Sequence, residues 1–81
     1  MKKRFQDNIV PENTIKARQE MAQIMKTARL EQHLTQETLA TKCGTQKSNI
    51  SRMESGHYNP SLDFLVKVAN SMDKQLVIRM E

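Results

Sequence analysis

Eighty-one residues allow one small domain. Thirteen Lys and Arg against nine Asp and Glu give a net charge of +4, an excess that favours an anionic partner without identifying one. A single cysteine excludes an internal disulfide and a cysteine-rich metal site, and no run of residues approaches the length of a membrane span.

Residues 1–11 carry Lys2, Lys3 and Arg4 and no convincing period. They read as a flexible arm: either a frayed terminus or a basic segment ordered by a partner. No apolar stretch follows those charges, so a signal peptide is not expected and a cytoplasmic location is. Pro11 suits a first helical turn, where its missing N–H costs little. Over 12–32, Ile15, Met21, Ile24, Met25 and Ala28 follow helical spacing, with Lys16, Arg18, Glu20, Lys26 and Glu31 largely outside. Thr35 is a good N-cap for a second helix that turns Leu39 and Ala40 inward and Gln36 and Glu37 outward. Gly44 breaks that pattern, since glycine tolerates the positive φ of a helix end. A third helix is expected over 46–54, with Ile50 and Met53 as its buried stripe. Helices this short are marginal alone and must be held by packing, which fits a helix-turn-helix on a small core. Small Ala40, Gly44 and branched Ile50 suit two helices that cross steeply through a tight turn.

Residues 56–60, Gly-His-Tyr-Asn-Pro, have turn chemistry throughout. Ser61 can cap a fourth helix whose apolar stripe is Leu62, Leu65, Val66, Ala69 and Met72, closing the core over Leu39, Ile50 and Met53. The period then switches to alternation over 75–80, β-branched at its centre, which predicts a strand. A lone strand leaves its backbone groups unpaired, and nothing else in the chain reads as one. The plain solution is the same strand of a second copy, antiparallel about a two-fold axis, with Leu76, Ile78 and Met80 covering both domains. The alternative is that these residues extend the last helix or stay loose.

Leu34-Thr35-Gln36, Leu39-Ala40, Gly44, Ser48, Ile50-Ser51-Arg52, Glu54 and Gly56 resemble the helix-turn-helix of the Cro and lambda-repressor (Xre) family of bacterial DNA-binding proteins. The resemblance spans roughly residues 24–72. His33 departs from it, standing where the family usually has glycine, and so does Gln46, where a serine or threonine usually caps the recognition helix; Thr45 is the other candidate for that cap. The fold expected is therefore all-α. It is a lambda-repressor-like bundle over 12–72 (helix-turn-helix about 35–54), with an arm at 1–11 and a dimerisation strand at 75–80. If the arm is functional rather than frayed, its basic residues would follow a DNA groove or be ordered by a protein partner.

A recognition helix reads the major groove through exposed side chains near its N-terminus. The exposed set here is Gln46, Lys47, Ser48, Asn49, Ser51 and Arg52, all polar and none acidic, whereas an ordinary solvated face mixes in carboxylates. The resemblance places Lys47, Ser48 and Arg52 at base edges, and an arginine fork suits guanine O6 and N7. It places Gln36 at a phosphate-contacting and bracing position. Asn49 and Ser55 suit phosphate, where contacts set register rather than sequence. Arg29 and Glu54 match positions that often hold an ion pair between the first helix and the end of the recognition helix; the other possibility is two charges facing water. Cys43 reads as a small core residue, and the methionines as adaptable filling, those of the first helix alternatively as a protein-binding surface. His33 and His57 lack ligand-spaced partners, so no metal or cofactor is expected. Nucleophile elbows, phosphate loops and paired carboxylates are missing from the sequence, and no enzyme is read from it.

These features imply a repressor that binds an inverted repeat of duplex DNA as a homodimer, with regulation through another protein. The long first helix before Leu34-Thr35-Gln36 and the closing Leu76-Val77-Ile78-Arg79-Met80 are similar to HigA-type antitoxins. That similarity implies autorepression of a toxin–antitoxin operon and a cognate toxin as partner. The rivals are a stand-alone or phage-type regulator and a protein-interaction module that has lost DNA binding.

Overall fold

The computed structural model describes residues 10–81 and contains four helices among them: α1 Glu12–Glu31, α2 Gln36–Cys43, α3 Lys47–Glu54 and α4 Leu62–Ser71. Pro11 precedes the first turn of α1 rather than sitting in it, with φ −60° and ψ 153°. The Thr35 hydroxyl accepts from the Thr38 amide and the Ser61 hydroxyl from the Phe64 amide, so both expected caps form. Gln46 occupies the N-cap of α3 without a side-chain cap bond. Thr45 is not its substitute: its hydroxyl accepts from the Asn49 side chain at 2.9 Å.

Three helices end on one hydrogen-bonding pattern. Gly44, at φ 71°, donates to Thr41 O, and Thr45 donates to Ala40 O. His33 donates to Leu30 O and Leu34 to Arg29 O; Asp73 donates to Asn70 O and Lys74 to Ala69 O. Paired bonds of this kind satisfy the last carbonyls of a helix and need a left-handed residue at the turn. Glycine supplies it once; His33 and Asp73, both at φ 57°, supply it otherwise. Histidine and aspartate are among the few side chains that visit this region at all.

The core consists of Met25, Leu39, Ala40, Cys43, Ile50, Met53, Val68 and Met72, edged by Met21, Ala28, Leu34, Phe64 and Leu65. Leu39, Ile50, Met53 and Val68 are fully buried. Helix α3 packs on α2 and on α1, and α4 packs on α2, so the helix-turn-helix is held from both sides. The Gln32 amide donates to Met72 O at 2.7 Å and fastens the end of α1 to the end of α4. Two expected stripes are corrected. Leu62 and Val66 face outward on α4 while Val68 points in, and Ile15 and Ile24 are exposed on α1 while Ala22 is buried. The N-terminal half of α1 finds its support at Gly56: a Cβ built there would lie 3.4 Å from Gln19 Cγ and 3.9 Å from Ala22 Cβ. Gly56 is itself left-handed, at φ 81°.

The strand expected over 75–80 is not formed. Residues 75–81 have no regular structure, and no strand occurs among the described residues. A single chain offers this segment no ladder partner, so its backbone groups have nothing to pair with. Leu76 is half-buried, but Val77, Ile78 and Met80 are 73%, 69% and 95% exposed. The tail does not extend α4, which Asp73 terminates. Most of the arm expected at 1–11 lies outside the described residues. No described helix is long and apolar enough to cross a membrane.

Candidate nucleic-acid interface

The candidate surface is the outward face of α3 with the start of α2 beside it. Ile50 and Met53 anchor α3 to the core. One helical period around, Lys47, Ser48, Ser51 and Arg52 are exposed, as is the capping Gln46; Asn49 is half-buried. The acidic residue of this helix, Glu54, is withdrawn: its side chain is 3% exposed and that of Arg29 is 8%. Lys47 and Arg52 therefore give the face an uncompensated positive charge.

Glu54 is the centre of a network that fixes this face. Arg29 donates from Nε to Oε2 at 2.8 Å and from Nη2 to Oε1 at 3.0 Å, a bidentate fork. Gln36 donates from Nε2 to Oε1 at 3.0 Å, and the third arm of Arg29, Nη1, donates to Leu34 O at 2.7 Å. Four segments meet through this carboxylate and the guanidinium it holds: α1, the turn after it, the start of α2 and the end of α3. Hydrogen bonding to Glu54 raises the Arg29 pKa, against the lowering effect of burial and with the added pull of the carboxylate charge. The pair is thus ionised throughout the ordinary pH range on the arginine side.

The structure brings Gln36 and Lys47 to one open cleft, of about 560 Å³, that Thr35, Glu37 and His33 also line. Gln36 donates one N–H of its side-chain amide to Glu54 and keeps the other N–H and the carbonyl oxygen uncommitted. Asn49 leans back on Thr45. The Ser55 hydroxyl is engaged twice, donating to Arg52 O at 2.7 Å and accepting from the His57 amide at 3.2 Å.

One residue of this region escaped the sequence reading. Tyr58, the only tyrosine of the chain, lies under the Arg52 guanidinium, whose carbon is 5.6 Å from the ring centroid. An aromatic six positions beyond an arginine, across a loop, carries no periodic signal, so only the folded loop shows the pairing.

A family profile described as "Helix-turn-helix" matches residues 25–78, more than half of the chain. A relative from Sinorhizobium fredii, named as the uncharacterized HTH-type transcriptional regulator y4dL, is 34% identical over 58 residues. That alignment covers 72% of this chain and 30% of the relative, so the chain spans under a third of the relative's length. The profile, the capped short helices joined at Gly44 and the acid-free face of α3 agree: the chain belongs to the Xre-type helix-turn-helix family of DNA-binding proteins.

Proposed function

We propose that the protein is a sequence-specific, DNA-binding transcriptional repressor that grips an inverted repeat as a homodimer. The observation that carries this reading is the face of α3: Lys47 and Arg52 exposed beside Ser48 and Ser51, with the one carboxylate of the helix turned inward onto Arg29. Arg52 and Lys47 are the base readers, and Gln46 and Ser48 join them at the groove floor. Gln36, through the second N–H of its side-chain amide and the dipole at the start of α2, together with the second N–H of Asn49, orients the helix along the phosphates, and Ser55 joins them when its hydroxyl proton turns from Arg52 O. The name of the Sinorhizobium fredii relative, a transcriptional regulator, supports the same class.

The exposed tail supports the dimer. Val77, Ile78 and Met80 are apolar, unpaired within the chain and of strand-forming type, and a second tail would supply the ladder and the cover together. The narrower reading is an autoregulating antitoxin. It is supported by the twenty-residue α1, whose exposed Ile15 and Ile24 offer a protein-binding face, and by the similarity to HigA-type antitoxins. Its partner would then be a cognate toxin.

Selection from a random duplex pool tests the central part. Enrichment of an inverted repeat with half-site centres about one turn, ~34 Å, apart is expected. A pool that enriches no motif would favour the protein-interaction module. A stand-alone regulator would enrich the motif, yet no toxin-like reading frame would lie beside its gene.

A further inference from the structure

We infer that Tyr58 is a positioning residue for Arg52, setting specificity at the base pair Arg52 reads without touching that base. The inference rests on the DNA-binding reading above. The Arg52 guanidinium makes no hydrogen bond and no ion pair with any described residue; its restraint is the Tyr58 ring, 5.6 Å below. The two partners differ in mobility. Arg52 is an exposed, long side chain near the end of α3, whereas Tyr58 is half-buried in a loop pinned on both sides. Before it, Gly56 is buried against Gln19 and Ala22, and Ser55 ties Arg52 O to the His57 amide. After it, Pro60 is buried and Ser61 caps α4. The ring lines a cleft of about 200 Å³ with Thr45, Asn49 and Phe64. A fixed ring therefore holds a flexible cation.

Contact over the ring leaves the in-plane N–H groups of the guanidinium free, and these are the groups that bind guanine O6 and N7 as a fork. An arginine without such a platform loses most of its rotamer freedom on binding. Tyr58 removes part of that loss in advance, and the gain falls on the bases Arg52 reads. The aromatic face supplies it; the phenol oxygen is not needed. A Tyr58 that instead donated its hydroxyl to a phosphate would act on every sequence alike.

The test uses the full chain and the duplex enriched by site selection, with Arg52→Ala, Tyr58→Ala, Tyr58→Phe and the double alanine variant. Urea melts accompany each, and Tyr58→Leu replaces Tyr58→Ala if the alanine variant does not fold. Tyr58→Ala is expected to weaken binding about two- to five-fold and to relax the preference at the base pair that Arg52→Ala also relaxes. Tyr58→Phe is expected to bind like wild type. In the Arg52→Ala background, removal of the ring should change affinity by less than about two-fold. In the free protein, the Arg52 side-chain NMR signals should carry a ring-current shift that Tyr58→Ala abolishes. Equal losses in both backgrounds, or a loss that Tyr58→Phe reproduces, would overturn the inference and leave DNA binding standing. A wild type with no preferred duplex would overturn both, even with the ring-current shift present.

Discussion

At the scale of single residues, the Glu54 carboxylate decides most. It accepts from Arg29 twice and from Gln36 once, and it is almost wholly buried. Glu54→Ala strands a buried guanidinium and is expected to lower unfolding free energy by about 3 kcal/mol in a urea melt. A loss below about 0.5 kcal/mol, the size of a surface pair, would contradict the burial. His33 is the opposite case, a side chain where backbone geometry asks for none. Its φ of 57° is strained for a residue with a Cβ, so His33→Gly is expected to stabilise by about 0.5–1 kcal/mol, after the extra entropy of an unfolded glycine is deducted. The caps at Thr35 and Ser61 and the turn at Gly44 were legible because their chemistry is local, settled within a few residues. The Arg29–Glu54 pair spans 25 residues; the resemblance pointed to it, and the flanking apolar stripes and the fit of an arginine fork to a carboxylate favoured it over two solvated charges. Tyr58 beneath Arg52 was not legible at all.

At the scale of elements, helix existence and order followed from periodicity, but the inward faces did not. Between 62 and 72, α4 and its cap carry apolar residues at 62, 64, 65, 66, 68, 69 and 72, an arc of about 200° at ~100° per residue, with Asp63, Lys67, Asn70 and Ser71 on the polar side. Periodicity gives the apolar side but not which part of so wide an arc is buried; packing on α2 takes Val68 and Met72 near its middle and leaves Leu62 and Val66, at one edge, outside. On α1 the choice is made by Ala22, Met25 and Arg29, which meet α3 and the loop after it, and Ile24 is turned away. The contact that supports the added length of α1 is glycine-dependent, since Gly56 is left-handed and in van der Waals reach of Gln19. Gly56→Ala is expected to cost about 1–2 kcal/mol, chiefly from backbone strain and little from crowding. An unchanged melting midpoint would mean that the loop relaxes freely and that α1 does not depend on it.

At the scale of the whole molecule, two properties belong to proposed partners. The tail's alternation is a strand signal in a chain that contains no second strand among its described residues, and the single chain leaves it without regular structure; the paired strand is our proposal for a second copy. With Ile78 and Met80 exposed, wild-type protein is expected to sediment as a dimer at micromolar concentration. Ile78→Asp is expected to weaken that association at least about ten-fold, because it sets like charges and polar groups on both sides of the two-fold. A wild type that sediments as a monomer at high concentration would reject the paired tails while leaving α3 untouched.

The surface charge of α3 is the second property, and the partner we propose for it is duplex DNA. The most direct measurement is a gel shift with the duplex upstream of the protein's own gene, across a salt series, with Lys47→Ala and Arg52→Ala alongside. Tight binding is expected, with log Kobs falling linearly in log salt at roughly −0.9 per phosphate contact, and with both substitutions weakening it. Weak association that ignores sequence, unaltered by either substitution, would contradict DNA recognition by α3 and self-repression together.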